Sequence, residues 1–525
     1  MPKILIADTL DPYGLDLLAK AGAEIRIVAA DERGRLPELI ADVDALVVRS
    51  ATKVTADLMR AGKQLKVVGR AGVGVDNVDV AAATELGILV VNAPTANLTS
   101  ATEHSLALLL ALARQIPAAD ASMKRGEWDR KTFLGVELEG KTLGVVGFGR
   151  IGQRVAERAK AFGMEILASD PFLDAGVARR LGVELVSMDE LIARADALTL
   201  HTPLTAETKN VISRERIFAM KPGALLVNCA RGGLIDEDAL LEALDAGRIG
   251  GAAFDVYIEE PPKDRRLAEH PKVVATPHIG AQTREAQERI SEETAHMLLA
   301  ALGGEMPAAA VNLPFRPTGA RGEPYLKLGE RLGRLASLLL GGAPQRLEVE
   351  LWNLEEPLRH PLAIAALKGV LAPALGDGVN YVNAERIAES RGVEMERTAR
   401  TAPADDPHRV SVRLSGGGKS VEVDGALFGD GEARVVRFGG YRLEFRPEGK
   451  LLVLENRDVP GVVGKLGTLL GAAGVNIADI HLSRRDGGEA LAVLRLDQAV
   501  DAATFEQLAA QPEVLRAKYV DLEAR

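Results

Sequence analysis

Three polar side chains in the middle of the chain are of the types that can oxidise an alcohol. Arg231, Glu260 and His278 each follow a short apolar run that predicts a β-strand. Because ligands of an open α/β sheet bind beyond the carboxyl ends of its strands, we expect the three to share one edge. Singly, each has a plain structural explanation: a surface ion pair, a turn acid or a structural histidine. Together they indicate oxidation of a 2-hydroxy acid, with the arginine on the carboxylate, the histidine taking the hydroxyl proton and the glutamate orienting the histidine.

A glycine-rich turn indicates what accepts the hydride. Gly147-x-Gly149-x-x-Gly152 lies between an apolar run and a helical one, so it is more than a bare glycine turn. Gly147 permits a tight turn, Gly149 lets the backbone approach a pyrophosphate, and Gly152 lets the helix pack closely on the strand. Asp170 ends the next strand, where a carboxylate can bind the ribose hydroxyls and repel a 2′-phosphate. The sequence therefore predicts NAD rather than NADP.

Two arginines near the amino terminus predict a substrate with more negative charge than one carboxylate. Arg49 and Arg70 each leave a predicted strand beside small residues, where backbone N–H groups can also contact an anion. A phosphorylated hydroxy acid carries that charge. In the alternative interpretation, the two arginines only pair with local acids such as Asp76.

Length and composition exclude several classes of protein. The 525 residues predict three or four domains, and the net charge of −10 argues against a nucleic-acid partner. No run of about 18 uncharged apolar residues predicts a membrane span. Cys229 is the only cysteine, which excludes an internal disulfide framework and fits a cytoplasmic protein. The eight histidines show no metal-ligand spacing, so we predict no metal.

The order of predicted elements indicates several α/β units. Strands and helices alternate over the first 92 residues and again after the glycine turn, which predicts two lobes with parallel sheets. A long apolar helix, 100–114, would lie between them, and residues 283–302 would return to the first lobe as a helix. Residues 311–324 are rich in Pro and Gly and predict a linker. The last 75 residues have the order βαββαβ, which is typical of a ferredoxin-like fold.

The motifs that carry these residues resemble the D-isomer-specific 2-hydroxyacid dehydrogenases. The resemblance rests on the glycine turn and on Asn-Cys-Ala-Arg-Gly-Gly (228–233), Asp-Val-x-x-Glu-Glu-Pro-Pro (255–262) and Thr-Pro-His-Ile-Gly-Ala (276–281). It covers essentially the whole chain and is closest to the long form, which ends in an intervening domain and an ACT domain. It implies NAD-dependent oxidation of 3-phospho-D-glycerate to 3-phosphohydroxypyruvate, the first step of L-serine biosynthesis. Two alternatives stay open: a related reductase of 2-oxoglutarate, glyoxylate or hydroxypyruvate, and an NAD-sensing corepressor.

The resemblance also implies the roles of individual residues. The catalytic set is Arg231, Glu260 and His278. Residues implied to line NAD are Val73, Gly147, Gly149, Arg150, Ile151, Gly152, Asp170, Thr202, Cys229, Ala230, Arg231, Asp255, His278, Gly280 and Ala281. Residues implied to contact the substrate are Arg49, Ser50, Arg70, Gly72, Val73 and Asn97. Val73 stands where the family often has Thr, which matters little if only its backbone is used. His104 and His201 are interpreted as packing or helix-face residues rather than bases.

The carboxyl-terminal unit resembles the ACT domain, which in this family binds serine between paired domains. Pro460-Gly461 opens a helix with free backbone donors, and Asp458 and Asn476 would offer polar partners at one rim. Asn456 departs from the pattern, because it occupies a position where an aromatic side chain could have formed one side of the site. The alternative is an assembly module without a ligand. A homo-oligomer, dimer or tetramer, is expected either way.

These inferences combine into one predicted architecture. The fold class is α/β, with two doubly wound lobes, one flavodoxin-like and one Rossmann, followed by an α+β intervening domain and a ferredoxin-like ACT domain. The expected domains are a substrate-binding domain (1–98 and 286–312), an NAD-binding Rossmann domain (99–285), an intervening, allosteric substrate-binding-like domain (313–447) and an ACT regulatory domain (448–525).

Overall fold

The computed structural model of the chain describes residues 1–401, 408–429, 431–485 and 487–523, and these form four sheets. The first lobe has five parallel strands in the order β2-β1-β3-β4-β5. Its elements are β1 (Lys3–Ile6), α1 (Pro12–Lys20), β2 (Glu24–Ile27), α2 (Leu36–Leu39), β3 (Ala45–Val48), α3 (Ala56–Ala61), β4 (Val67–Arg70), α4 (Val80–Glu85) and β5 (Leu89–Asn92). The central strands are short apolar runs buried on both faces, as parallel sheets require. This strand order is the flavodoxin-like one predicted.

The second lobe is a seven-stranded parallel sheet in the order β12-β11-β10-β9-β6-β7-β8. Its strands are β6 (Thr142–Val146), β7 (Glu165–Ser169), β8 (Glu184–Leu185), β9 (Ala197–Leu200), β10 (Ala224–Asn228), β11 (Ile249–Phe254) and β12 (Val273–Ala275). Its helices are α5 (Leu98–Ala113), α6 (Ile116–Lys124), α7 (Arg150–Ala161), α8 (Ala175–Arg180), α9 (Met188–Arg194), α10 (Arg214–Ala219), α11 (Glu237–Asp245) and α12 (Arg266–Glu269). The strand order reverses beside β6, so the glycine turn lies at the switch point where such folds bind ligands.

Two long helices connect the lobes. Helix α5 carries the chain from the first lobe to the second and packs against α7, β10 and β11. Helix α13 (Arg284–Leu302) returns to the first lobe, where it packs against α1 and β4, as predicted. The two helices therefore connect the lobe that contains the catalytic candidates to the first lobe.

The third unit is a six-stranded sheet backed by two long helices. Its elements are α14 (Gly319–Leu340), β13 (Arg346–Trp352), α15 (Glu356–Leu375), α16 (Ala384–Ser390), β14 (Glu394–Arg400), β15 (Arg409–Gly416), β16 (Lys419–Phe428), β17 (Glu432–Phe438) and β18 (Tyr441–Phe445). The sheet order is β14-β13-β15-β16-β17-β18, in which β13 pairs with β14 in parallel and the other neighbouring strands pair antiparallel. Apolar faces of α14 and α15 pack on this sheet and build one core.

The last unit has the predicted βαββαβ order. Its elements are β19 (Lys450–Arg457), α17 (Val462–Ala472), β20 (Ile477–Arg485), β21 (Glu489–Leu496), α18 (Ala502–Ala509) and β22 (Val514–Asp521). The antiparallel order β20-β21-β19-β22 is ferredoxin-like, so the predicted fold class is confirmed. One face of the sheet packs on α17 and α18, and the other shares the core of the third unit.

The predicted linker is wrong in part. Val311 N donates to Val90 O at 2.7 Å, and Asn312 Oδ1 accepts from Val90 N at 2.8 Å, so this segment extends the edge of β5. Helix α14 then begins at Gly319, with Pro324 inside its first turns. Pro324 is the sixth residue of α14, so the helix lacks the hydrogen bond that an N–H there would make to Ala320 O. The helix nevertheless continues and packs against α15, β15 and β16. The Pro and Gly content of this segment predicts a loop when the segment is considered by itself. Its contacts with β5, which are distant in sequence, order it instead.

In the described ranges, no single helix is long and apolar enough to cross a membrane. Helices α5 and α6 meet the length and composition criteria only as a pair, and a 65° bend separates them.

Candidate active site

His278 and Glu260 form a hydrogen-bonded pair at the edge of the second sheet. His278 Nδ1 lies 2.6 Å from Glu260 Oε2, and Glu260 Oε1 accepts from Tyr257 N at 3.1 Å. Burial opposes ionisation of Glu260, but the hydrogen bond and charge of His278 outweigh it, so the pKa of Glu260 lies below its usual value. The carboxylate therefore accepts the Nδ1 proton and leaves Nε2 as the nitrogen free to exchange one with a substrate. The two side chains remain about four-tenths exposed, at 44% and 36%, so a substrate can reach them.

A buried carboxylate holds the turn that carries His278. Asp255 is 1% exposed; its Oδ1 accepts from Ile279 N at 2.8 Å and its Oδ2 from Gly280 N at 2.8 Å. His278 itself has φ of +53°, a conformation that side chains other than Gly rarely adopt. The backbone bonds to Asp255 stabilise this strained turn. The structure thus gives Asp255 a supporting role beside the nicotinamide contact that the resemblance implies.

Arg231 reaches from the second lobe to the first. Asn228, at the end of β10, donates to Arg231 O at 2.8 Å and accepts from Ala230 N at 3.0 Å, which shapes the turn. The Arg231 Nε atom lies 3.1 Å from Asp76 Oδ2, and its Nη2 atom packs on Gly74, where a Cβ would be only 2.1 Å away. One edge of the guanidinium is therefore anchored by Asp76, and the fork remains at the cleft between the lobes.

Arg70 is an incompletely satisfied buried cation. Burial above all, and then the charges of Arg231 and Arg49, lower the pKa of Arg70 to about 10. Its Nε atom is buried and has no hydrogen-bond partner among the described residues. Its guanidinium lies against Gly72, where a Cβ would meet Nη1 at 1.6 Å. A positive charge that is desolvated and repelled by two neighbours is one that a bound anion would stabilise.

Arg49 is held at the same cleft by a network beneath it. Asp8 Oδ2 accepts from Arg49 N at 2.7 Å and from Thr52 N at 3.2 Å. Asn77 Nδ2 donates to the carbonyl oxygens of both residues at 2.6 Å. Burial lowers the pKa of Arg49, and the charge of Asp8 opposes that shift. Ser50 is exposed on this loop. The alternative in which Arg49 and Arg70 pair with Asp76 is not what the structure shows, because the ion pair of Asp76 is with Arg231.

Asn97 and the backbone at 72–73 complete the first-lobe side. Asn97 directly precedes α5, and its Oδ1 is buried without a hydrogen-bond partner in the described ranges. Gly72 O accepts from Ala93 N at 2.9 Å, and Val73 O accepts from Asn92 Nδ2 at 2.6 Å. These bonds turn both carbonyls toward the lobe and fix the backbone beside Arg70.

The glycine turn fits a dinucleotide. Gly147 has φ of +84°, and a Cβ there would lie 2.7 Å from His201 O. A Cβ at Gly152 would lie 2.4 Å from Gly147 O, so only Gly permits this close packing of α7. Gly149 faces open space, where a pyrophosphate can approach the first N–H groups of α7, those of Arg150 and Ile151.

Asp170 is anchored to the same turn. Its Oδ2 accepts from Phe148 N at 2.7 Å and its Oδ1 from Phe172 N at 2.8 Å. Each carboxylate oxygen keeps a lone pair, which suits it to accept from ribose hydroxyls. The donor set and the open space therefore fit NAD.

The remaining residues implied to line NAD lie around this turn and the His278 turn. Thr202 N is 3.0 Å from where a Cβ on Gly147 would be. Burial raises the pKa of Cys229 to about 12, so its thiol stays neutral beside the end of β10. Gly280 packs on Asp255, and Ala281 O accepts from Gln287 Nε2 at 2.8 Å. Burial lowers the pKa of His201 to about 4, so this histidine stays neutral, consistent with a packing role.

The two residues implied to bind serine do not meet within one chain. Asp458 follows Arg457, which pairs with Glu489, whereas Asn476 precedes Ile477, which pairs with Leu496. They therefore lie at opposite ends of β21, seven residue steps or about 24 Å apart. Asp458 is paired with Arg484 at 3.3 Å, and Asn476 with Asp497 at 2.6 Å. The expectation that both line one rim of a single domain is corrected, because they lie at opposite ends of the strands of its sheet.

The supporting roles of several residues were missed from the sequence: those of Asp8, Asn77, Asn228 and Thr276 were not considered, Asp76 was considered only as a partner of Arg49 and Arg70, and His104 only as a packing or helix-face residue. Some follow strands and could have been noticed by position, but their partners are far away in sequence. No group of three metal-ligating side chains occurs in the part of the chain that the structure describes.

Three family models match the chain. The D-isomer specific 2-hydroxyacid dehydrogenase NAD binding domain matches residues 106–280. The D-3-phosphoglycerate dehydrogenase intervening domain matches residues 322–439, and the ACT domain matches residues 450–513.

Full-length relatives identify the family. The chain is 44% identical to the D-3-phosphoglycerate dehydrogenase of Methanocaldococcus jannaschii, over 99% of this chain and 100% of that relative. It is 39% identical to the D-3-phosphoglycerate dehydrogenase of Bacillus subtilis, also over 99% of this chain and 100% of that relative. This chain belongs to the D-3-phosphoglycerate dehydrogenase family. The resemblance seen in the motifs is thereby confirmed.

Solved structures agree for the two catalytic lobes of this D-3-phosphoglycerate dehydrogenase family member. D-lactate dehydrogenase from Aquifex aeolicus, complexed with NAD and lactic acid, is 29% identical, with a TM-score of 0.53 over 59% of this chain and 98% of that one. NAD-dependent formate dehydrogenase from Staphylococcus aureus, in complex with NAD, is 33% identical, with a TM-score of 0.53 over 58% and 96% of the two chains. The protein is an NAD-dependent oxidoreductase, as the glycine turn predicted, rather than a non-catalytic NAD sensor.

Proposed function

We propose that the chain oxidises 3-phospho-D-glycerate to 3-phosphohydroxypyruvate in the cytoplasm, with NAD as acceptor, as the first step of L-serine biosynthesis. The observation that carries the choice of substrate is Arg70, a buried guanidinium with an unpartnered Nε beside Arg49 and Arg231. Lactate or glyoxylate has one carboxylate and would leave this cluster with excess positive charge. A substrate with a carboxylate and a phosphate would neutralise it. The names of the full-length relatives support the same substrate.

The proposed roles follow from the placement of each side chain. Arg231, anchored by Asp76, holds the substrate carboxylate and polarises the C2 oxygen. His278 Nε2 takes the hydroxyl proton, while Glu260 holds Nδ1 and stabilises the imidazolium that results. Arg49, Arg70, Ser50 and Asn97 bind the rest of the substrate, including its phosphate.

The cofactor is proposed to lie along the second lobe. The residues that would hold it are the N–H groups of Arg150 and Ile151, the carboxylate of Asp170, the backbone around Thr202, and the segments at 229–231 and 278–281. When bound there, NAD supplies the hydride acceptor. Asp170 excludes a 2′-phosphate by its charge.

The assembly is proposed to be a homo-oligomer with serine as effector. Strand β20 is an edge strand whose Ile480 and Leu482 are 43% and 41% exposed. Antiparallel pairing of β20 with its own copy would place the start of one strand beside the end of the other. Asn476 of one copy would then approach the sheet end that carries Asp458 in the second copy. This pairing supports a serine site shared by two chains, although Asp458 and Asn476 do not meet within a single chain.

The domain assignment follows the four sheets and is also proposed. The substrate-binding domain would comprise 1–98 and 286–312, the NAD-binding domain 99–285, the intervening domain 313–447 and the ACT domain 448–525. The matched family models fall inside the last three of these ranges.

The experiment that tests the substrate compares 3-phosphoglycerate with unphosphorylated 2-hydroxy acids in an NADH-formation assay. Arg49→Ala and Arg70→Ala are assayed beside Arg60→Ala, whose arginine is exposed and pairs only with Asp57 among the described residues. The variant that removes the phosphate contact should lose about 2–4 kcal/mol of binding free energy for phosphoglycerate, which raises KM roughly 30- to 800-fold. It should change KM for unphosphorylated acids much less. Preference of the wild type for an unphosphorylated acid, or equal losses for both substrate types, would contradict the proposal.

A further inference from the structure

His104 lies beneath the turn that carries His278. It projects from α5, and its side chain is 16% exposed. Its Nε2 atom is 3.2 Å from Asp255 Oδ1 and 3.2 Å from Thr276 Oγ1. The sequence indicated a packing or helix-face residue, because His104 lies on an apolar helix. The structure instead places its ring nitrogen on the carboxylate that holds the catalytic turn.

The hydrogen-bond directions at this contact are determined by its partners. Thr276 Oγ1 donates to Asp255 Oδ1 at 2.7 Å, so its hydroxyl proton is already used and its lone pairs face His104. An ionised carboxylate can only accept. Nε2 of His104 therefore carries a proton and shares it between Asp255 and Thr276.

Asp255 depends on this donor because it is buried. Its desolvation raises the pKa, but the hydrogen bond from His104, followed by those from Thr276 and Ile279 N, lowers it below the usual value. The ionised carboxylate then accepts hydrogen bonds from Ile279 N and Gly280 N. Gly280 is closely packed, because a Cβ there would lie 3.0 Å from Asp255 Oδ2 and 3.8 Å from His104 Cδ2. The orientation of His278 thus depends on two successive contacts: His104 donates to Asp255, and Asp255 binds the backbone that follows His278.

We propose that His104 is a positioning residue for the reaction: through Asp255 and Thr276 it holds the 276–280 turn so that the His278 ring faces the substrate. This inference rests on the proposed function, since it concerns the geometry of the same proton transfer. The contacts of His104 Nε2 are with Asp255 and Thr276, so we expect it to act on His278 through them. Its effect is expected on the chemical step rather than on the arginines that bind the substrate.

Two substitutions separate positioning from packing. His104→Leu keeps the apolar volume on α5 but removes the donor to Asp255. His104→Gln replaces the ring with an amide whose nitrogen can donate from a similar distance. His296→Leu is the matched control, because His296 is exposed on α13 and its nearest acid is Glu292 at 4.0 Å.

The measurements are kcat and KM for phosphoglycerate, the isotope effect on kcat with substrate deuterated at C2, and the melting temperature of the full-length protein. His104→Leu should lower kcat by about 10- to 100-fold, the range expected for a misplaced acid–base group, with KM for phosphoglycerate within about twofold. The isotope effect should rise, because the chemical step becomes more rate-limiting. His104→Gln should recover most of the lost kcat, and His296→Leu should match the wild type.

The outcomes separate this inference from the proposed function. If the wild type does not turn over phosphoglycerate, the proposed function fails, and the same comparison is then run with the hydroxy acid that it does oxidise. If the wild type is active and His104→Leu keeps its kcat and isotope effect, His104 is a packing residue and the inference is wrong. If His104→Leu does not fold, the Gln variant decides: a folded protein with a lowered kcat and an unchanged isotope effect would also overturn the inference.

Discussion

Glu260 Oε2 lies 2.6 Å from His278 Nδ1, and the pKa of Glu260 is below its usual value despite partial burial, because His278 bonds to it. The carboxylate is therefore charged across the pH range in which a histidine titrates. Its charge stabilises imidazolium, the form of His278 that cannot accept a proton. In Glu260→Gln this stabilisation is lost, so neutral His278 should persist to lower pH.

The acidic limb of the kcat/KM profile for oxidation should therefore move to lower pH in Glu260→Gln, while kcat falls because the ring is less well oriented. Initial rates of NADH formation between pH 5.5 and 9, on the order of ten values, measure both effects. Glu259→Gln is the control, since Glu259 is adjacent in sequence but pairs with Lys263. An acidic limb that stays in place would argue against the pairing as a source of charge stabilisation.

His278 is expected to be the proton carrier. His278→Ala should lower kcat by about 10²–10⁴, the usual range for a lost general base. NAD affinity, measured by calorimetry, should change little, because the glycine turn and Asp170 are proposed to supply contacts to the cofactor that the substitution leaves in place. A variant that keeps most of its activity would remove His278 from the mechanism.

Asp170 is expected to determine the choice between NAD and NADP. Its carboxylate is fixed by Phe148 N and Phe172 N, so it cannot turn away from a 2′-phosphate at low cost. Asp170→Ala should weaken NAD binding and reduce the ratio of kcat/KM for NAD over NADP. Asp174→Ala is the control, because Asp174 caps α8 through Gly176 N and Val177 N. A wild-type enzyme that already prefers NADP would contradict this prediction.

Serine is expected to act through the last unit. If Asp458 and Asn476 of two paired copies hold serine, Asn476→Ala should abolish inhibition by serine without changing basal turnover, because the catalytic set lies before residue 285. Activity is titrated with serine, and binding to the intact protein is followed by calorimetry. Thr468→Ala is a suitable control, since the hydroxyl of Thr468 donates to Gly464 O of its own helix. Absence of serine binding to the wild type would leave the unit as an assembly module.

The sequence by itself determined the local features of this protein. Strand and helix periods, the Gly147–Gly152 turn and the position of Asp170 depend on neighbours within a few residues or one βαβ unit, so their patterns are visible in the chain. The order of the Arg231, Glu260 and His278 motifs was visible for the same reason. Each follows a strand of a parallel sheet, and the carboxyl ends of such strands meet at one edge.

Only the tertiary structure decided which distant groups meet. Asp76 and Arg231 are 155 residues apart and pair because two lobes face each other. His104 meets Asp255 because α5 packs against β11. The hydrogen bond between Val311 and β5 orders part of the segment that was predicted as a linker. Asp458 and Asn476, which the motif suggested as neighbours, are separated by the length of a strand. Such pairings are set by how whole elements pack and in what register they pair, and the composition of a single segment carries no record of either.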